Sequence, residues 1–358
     1  MSVHHSRAAV HRETVLEQHL VETLVGQHGY MERTPDDYDR ALAMDRELVL
    51  RFLRETQADE WAKLEEQYTT AAEAEFFKQL EKALKTRSTL DVLRQGIKLI
   101  PGIKLSLCFF KPASGLNPEL VRLYEANILS VIRQVRYSLK NENAIDGVLF
   151  VNGLPVTTME LKNLLTGSNF KHAEKQYRSD RSPSGEPLLT FKRGALVHFA
   201  MDEDNVSMTT RLQNGRTRFL PFNRGRDGGA GNPDIEGDFR VAYLYADRPE
   251  GKAVFSREVL LDIIGRFAHL DRQEFPKPDG SAEVKETLIF PRFQQLDAVR
   301  KVMAHARALG PGRNYLIQHS AGSGKSNTIG WTAHQAINLH DEADRPIFDS
   351  AIIVTDRI

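Results

Sequence analysis

Asn152-Gly153 lies between two apolar runs rich in β-branched residues, "DGVLFV" and "VTTMELK". Both turn residues tolerate positive φ, so the pair commits its flanks to an antiparallel hairpin, and an isolated hairpin is not stable in water without further strands or a covering helix. The chain supplies both. Over the first hundred residues the apolar period is helical: Leu16, Leu20, Leu24 and Val25 fall at one-face spacing, Thr34-Pro35-Asp36-Asp37 reads as a helix start, and "EWAKLEEQY" and "AEFFKQLEKALK" continue the pattern. From about residue 103 the period becomes two, through "IKLSLCFF", "ILSVIRQVRYS" and the hairpin. Residues 170–180 turn helical again, and "GALVHFAM" and "NVSMTTRL" read as a strand pair. These elements imply an α/β fold, a sheet wrapped by helices.

Three charges distinguish the hairpin. Asp146 stands at the outer end of its first strand, and Glu160 and Lys162 at the outer end of its second. Glu160 and Lys162 are two apart, so they share a face. Whether Asp146 joins them depends on the turn: a strict two-residue turn pairs 146 with 159, whereas a three-residue loop over 152–154 with a bulge pairs 146 with 160. The longer loop is expected. Two opposed carboxylates can then hold Mg²⁺, with Lys162 beside the attacking hydroxide or the phosphate charge.

The second organised stretch follows a polar, Pro-bearing segment, 272–285, that reads as a linker. "FPRFQQLDAVRKVMAHARAL" reads as a helix, "NYLIQ" as a buried strand, "HSAGSGKS" as a loop, "NTIGWTAHQAINLH" as a helix and "SAIIVTDRI" as another strand. In the loop, Gly322, Ser323 and Gly324 let backbone N–H groups approach phosphates, Lys325 reaches the β- and γ-phosphates, and the Ser326 hydroxyl suits Mg²⁺. His319 stands where the full phosphate-loop pattern has glycine. Upstream, Phe293 can stack on adenine and Gln295 can read its edge, so ATP is the expected nucleotide.

Composition adds boundaries. With 358 residues two domains are expected, and with 48 Lys+Arg against 48 Asp+Glu any polyanion must be met by local basic surface. Lys171, Lys175 and Arg178, spaced for one helix face, and Arg224 or Arg226 in the glycine-rich loop 221–233 are candidates for such contacts. The single cysteine, Cys108, fits a reducing cytoplasm, and no apolar run is long enough to span a membrane.

The blocks "FVNGLPVTTMELKN", "HAEKQY", "VSMTTRL", "LPFNRGRDGGAGNP", "FPRFQQLDAVR", "SAGSGKS" and "IIVTDRI", in this order, resemble the R (restriction, motor) subunit of type I restriction enzymes. The resemblance implies a PD-(D/E)xK nuclease-like α/β domain with a mixed sheet over 1–250, a helical connector and linker over 251–285, and the beginning of a RecA-like parallel α/β lobe over 286–358. It implies Asp146, Glu160 and Lys162 as nuclease residues, with Glu17 near the metal, and Lys325 as the phosphate-binding lysine. Gln176 matches the family's glutamine-tyrosine motif, although Asp180 stands where that spacing puts tyrosine and Tyr177 follows directly.

The function implied is Mg²⁺-dependent cleavage of double-stranded DNA, with methyltransferase and specificity subunits as partners. The resemblance implies that the acidic strand and second lobe needed for ATP hydrolysis lie beyond Ile358 and that Asp356 does not replace them, so the chain alone is expected to lack ATPase activity. A non-catalytic nucleotide-binding scaffold, a stand-alone repair helicase-nuclease and a type III restriction subunit are the alternatives. The intact Asp146, Glu160 and Lys162 favour a nuclease over the scaffold, and a nuclease that precedes the motor favours the type I arrangement.

Overall fold

A computed structural model describes residues 3–99, 102–164, 167–277, 281–341 and 343–355, with side chains from Val15 onward. In chain order the elements begin with α1 (Val3–His28), β1 (Met31–Arg33), α2 (Arg46–Thr56), α3 (Ala58–Tyr68), α4 (Ala72–Thr86), α5 (Thr89–Gln95), β2 (Ile97–Leu99) and β3 (Ile103–Leu105). Then come α6 (Pro118–Glu125), β4 (Leu129–Arg136), β5 (Ala144–Val151), β6 (Leu154–Leu161), α7 (Phe170–Ser179), β7 (Val197–Met201), β8 (Val206–Thr209) and β9 (Leu220–Pro221). The last are α8 (Arg257–Asp262), β10 (His269–Pro276), β11 (Ala282–Ile289), α9 (Phe293–Leu309) and α10 (Lys325–Ala336).

A seven-stranded mixed sheet, ordered β1-β4-β5-β6-β7-β8-β9, forms the centre, with β1 parallel to β4, β6 parallel to β7 and the other pairs antiparallel. Alternation along the strands separates two apolar layers. Val131 and Leu149 face the helical layer that holds Leu16, Leu20 and Leu24 of α1, and Ile132, Val148 and Phe150 face Ala173 and Tyr177 of α7. Val25 is 39% exposed and so lies off the α1 stripe. The helix start at Thr34 produces one 3₁₀ turn, Pro35–Asp37, with the Thr34 N–H donating to Asp37 Oδ2 at 2.8 Å.

The hairpin turn departs from the expected three-residue loop. Val151 pairs with Leu154, leaving the two-residue turn Asn152-Gly153 with φ of 50° and 78°. The register then shifts, from Phe150 opposite Pro155 to Leu149 opposite Thr157, so Val156 is a bulge residue. A twisted hairpin favours the tight turn with positive φ at both positions, and the extra residue moves into the strand. The turn is buried: Asn152 Nδ2 donates to Leu107 O at 2.8 Å, and the Asp45 N–H donates to Gly153 O at 2.9 Å. A Cβ on Gly153 would lie 2.3 Å from Asp45 O. Gly153→Ala should therefore cost at least about 2 kcal/mol in a denaturant titration, since the left-handed backbone and the backbone clash add. A loss below about 0.5 kcal/mol, the range of ordinary surface substitutions, would contradict this.

Three expectations about the later chain are corrected. The expected linker over 272–285 overlaps two paired strands, β10 up to Pro276 and β11 from Ala282, whose register runs from His269 opposite Ile289 to Pro276 opposite Ala282, while 278–280 lie outside the described residues. The anticipated strand at 314–318 is irregular, with Leu316 92% exposed, because no described strand lies beside it to accept its backbone hydrogen bonds. Residues 351–355 likewise form no strand, and Asp356 lies outside the described residues. The parallel RecA-like sheet is thus not formed among the described residues. Helices α9 and α10 instead pack on the same core as the sheet: the Trp331 indole N–H donates to Phe267 O at 2.9 Å, and Arg300 pairs with Asp262 at 2.7 Å and Glu258 at 2.9 Å. Among the described residues no helix is long and apolar enough to cross a membrane.

Candidate active site

The bulge at Val156 sets the chemistry. With Gly147 opposite Met159, one further step along the register brings Asp146 opposite Glu160, so the pairing expected from a longer loop arises from a tight turn plus a bulge. β6 is the middle strand of the sheet and is buried along its whole length. Glu160 at its end is wholly buried, whereas Asp146 is half-buried. The Leu161 N–H donates to Asp146 Oδ2 at 2.8 Å, which fixes the aspartate across the strand end. Lys162 follows directly, its N–H donating to Met201 O of β7 at 2.9 Å, and its charge acts on Glu160.

Two site residues escaped the sequence reading. Arg181, just beyond α7, donates from Nε to Glu160 Oε1 at 2.6 Å, and both side chains are buried. Glu160 Oε2 has no hydrogen-bond partner. Burial first, and the Asp146 charge second, push the Glu160 carboxyl well above its ordinary value, with Arg181 and Lys162 acting against them. Gln134 of β4 is the second. It has φ of 50°, and its Nε2 lies 3.3 Å from Glu17 Oε2 and 3.5 Å from Asp146 Oδ1. A non-glycine residue held left-handed inside a strand costs about 1–3 kcal/mol, which the surrounding sheet must sustain. The contact draws Glu17 of α1 to the edge of the carboxylate pair. A signal for Gln134 was present, a lone amide in the apolar run "ILSVIRQV"; for Arg181 there was none within its own segment.

Gln176 is half-buried on α7, and its neighbour Tyr177 is wholly buried. Tyr177 and Thr158 share a hydrogen bond of 2.8 Å, and Thr158 Oγ1 lies 2.7 Å from His198 Nδ1. Burial, then the Glu160 charge, raises the Tyr177 hydroxyl, and burial holds His198 at about 3, so the imidazole is neutral at physiological pH. On the same helix Glu174 is buried and holds Lys171 at 3.0 Å and Arg178 at 3.1 Å. Those two cations are thus engaged in the fold. Arg224 and Arg226 pair with Glu250 at 2.8 Å and Asp234 at 3.0 Å, and Asn205, Asn223 and Asn232 knit the 221–233 loop to the end of β8.

A divalent cation fits this donor set. Asp146 Oδ1 and the unpartnered Glu160 Oε2 are the oxygens the two carboxylates leave for it, and Mg²⁺ commonly takes one or two carboxylates and keeps several waters. Among the described residues no group of three or more His, Cys, Asp or Glu side chains is arranged to hold a metal ion, so Glu17 does not complete a three-carboxylate set with Asp146 and Glu160.

The phosphate-type loop lies apart from this centre. Gly322 and Gly324 have φ of 72° and 84°, and α10 starts at Lys325. Lys325 Nζ donates to His319 O and Ser320 O, both at 3.3 Å, so its ammonium group spans the loop's own carbonyls. The Ser323 hydroxyl is buried without a partner. Ser326 follows Lys325 in the first turn of α10. The amide of Gln295 is turned to the loop: Nε2 donates to Ser323 O at 3.1 Å and Gly324 O at 2.8 Å, while Oε1 accepts the Arg292 N–H at 2.9 Å. Phe293 is set edge to face against Tyr243, with ring centroids 5.0 Å apart.

A mixed sheet that carries opposed carboxylates at the end of its central strand is a nuclease-like α/β domain. The family model of the type I restriction enzyme R protein N terminus matches residues 11–217, more than half of the chain, and the chain belongs to that family. A comparison with curated proteins gave no match.

Proposed function

We propose that this chain is the nuclease and nucleotide-binding portion of a type I restriction R subunit, hydrolysing phosphodiester bonds of double-stranded DNA with Mg²⁺. The observation that supports it is the apposition of Asp146 and Glu160, with a buried carboxylate oxygen of Glu160 left without a partner. A buried acceptor of that kind costs about 1–3 kcal/mol or more when charged, and a cation would offset it. Bound there, Mg²⁺ would supply charge stabilisation at the phosphate and a water of lowered pKa. Asp146 and Glu160 would hold it, and Glu17 would stand at its edge through Gln134. Lys162 would balance the charge of the attacking hydroxide or the phosphate. Gln176 would reach the substrate side of α7. The partners are duplex DNA and the methyltransferase and specificity subunits that supply site recognition. The test is Mg²⁺-dependent nicking of supercoiled DNA by the assembled complex, wild type against Glu160→Ala.

ATP is the proposed nucleotide, held by Gly322, Ser323, Gly324, Lys325 and Ser326, with Phe293 on the adenine side and the Gln295 amide bracing the loop through Ser323 O and Gly324 O. The unpartnered Ser323 hydroxyl and the position of Lys325 over the loop carbonyls support this. Lys325→Ala should weaken ATP binding by calorimetry more than Gln295→Ala, because a charge-assisted contact is about twice as strong as a neutral one. Equal affinity of wild type and Lys325→Ala would refute the nucleotide assignment.

A further inference from the structure

The β2–β3 hairpin is separate from the seven-stranded sheet, and its outer face carries two lysines that the carboxylate site does not use. Ile97, Leu99, Ile103 and Leu105 point into the core, so Lys98 and Lys104 point outward, directly opposite one another in the register. Opposed like charges on neighbouring strands are destabilising, and a two-stranded ribbon is the element least able to absorb that. Between this face and the end of α4 lies a cleft of about 530 Å³ lined by Lys82, Arg87, Lys98 and Lys104, with amides from Gln79 and Gln95. No acidic side chain among the described residues lines it. Arg87 is fixed at its edge by Gly96 O at 2.9 Å and by Asp91. Gly96, at φ +64°, lets the hairpin close on the cleft, since a Cβ there would lie 2.1 Å from Leu105 O.

The negative end of α4 favours cations, which accounts for basic residues on its last turn but not for Lys98 and Lys104. The chain has no formal net charge, and many of its surface cations are paired, among them Lys85 with Glu81 at 2.7 Å. Lys82, Lys98 and Lys104, grouped around a cleft that no acidic side chain lines and beside Arg87, which Asp91 already pairs, therefore stand out as a place where an anion would be welcome. Lysines are hydrated, mobile point charges, suited to sequence-independent backbone contacts rather than to the bidentate capture of one small anion.

We propose that this cleft is a second DNA-contacting site, an anchor for the phosphate backbone of a duplex, distinct from the carboxylate pair. It does not depend on the nuclease reading, because it concerns binding alone. The experiment is fluorescence anisotropy of a labelled duplex with the full chain, metal chelated, across a series of salt concentrations. Replacing Lys82, Lys98 and Lys104 together by glutamine should make the plot of log affinity against log salt shallower by about 2 to 3, at roughly 0.9 per lost phosphate contact. Lys252→Gln, at an exposed lysine already paired with Asp247 at 2.6 Å, should leave the slope unchanged.

Loss of the opposed lysines should hold or raise the thermal midpoint, so a weaker complex cannot be ascribed to unfolding. Should the triple variant melt earlier, Lys98→Gln alone is read, with an expected slope change of about 0.9. Slope and affinity equal to wild type would overturn the proposal. So would displacement of the duplex by inorganic phosphate at matched phosphate concentration, which would make the cleft a small-anion site.

Discussion

Glu160→Ala is expected to reduce Mg²⁺-dependent nicking by the assembled complex by about a thousandfold or more. Charge stabilisation by a bound cation is worth several kcal/mol, and each 1.4 kcal/mol is about tenfold in rate. Glu160 supplies one of the two carboxylates and the buried oxygen that lacks any partner, so its loss removes half of the donor set. The alanine also strands Arg181, which would weaken the fold as well as the site. Asp146→Asn separates the two effects: an asparagine oxygen can still accept the Leu161 N–H, and Arg181 keeps its partner. Both variants should lose nicking, and Asp146→Asn should keep its melting temperature. Nicking within about tenfold of wild type in both would remove the carboxylate pair from the chemistry, as that factor is worth only about 1.4 kcal/mol.

What could be read in the chain differs by the range of the interaction. The hairpin was legible because Asn152-Gly153 and its flanks are local signals, and the faces of Glu160 and Lys162 follow from a period of two. The bulge at Val156 was not, because side-chain alternation says which residues share a face and not where an extra residue is inserted. The outcome, Asp146 opposite Glu160, was reached by a different turn from the one expected. Arg181 meets Glu160 only because α7 packs across the sheet, a tertiary contact with no mark in the segment "SDRSPSG". The β10–β11 hairpin was missed for the opposite reason. Most of its side chains face solvent on both sides, so the alternation that identifies a half-buried strand is absent. "NYLIQ" was over-read, since a β-prone run becomes a strand only where neighbouring strands complete its hydrogen bonds.

Arg181→Ala is expected to be the most destabilising single change at the site, by about 3–5 kcal/mol where pH is high enough to ionise Glu160, because it leaves a fully buried carboxylate without its cation. The loss should depend on pH. Glu160 already has its folded pKa above the ordinary value of 4.5, through burial first and Asp146 second, and removing Arg181 pushes it further up. A carboxyl whose folded pKa exceeds its unfolded one takes up a proton on folding between those two values, so stability falls as pH rises through that window. The penalty of Arg181→Ala should accordingly stay flat while Glu160 is protonated in both folded proteins and grow only as pH rises through the raised folded pKa of the wild type, above which Arg181 pairs a carboxylate that the variant cannot ionise without cost. Arg181→Met retains much of the stem's volume and removes the charge, so it should show the same pH dependence with less loss of packing. Denaturant titrations of the three proteins over a pH series from about 5 to about 10 measure both. A penalty of equal size across the whole series would mean that Arg181 supports the fold by packing alone and that its contact with Glu160 carries no net charge stabilisation.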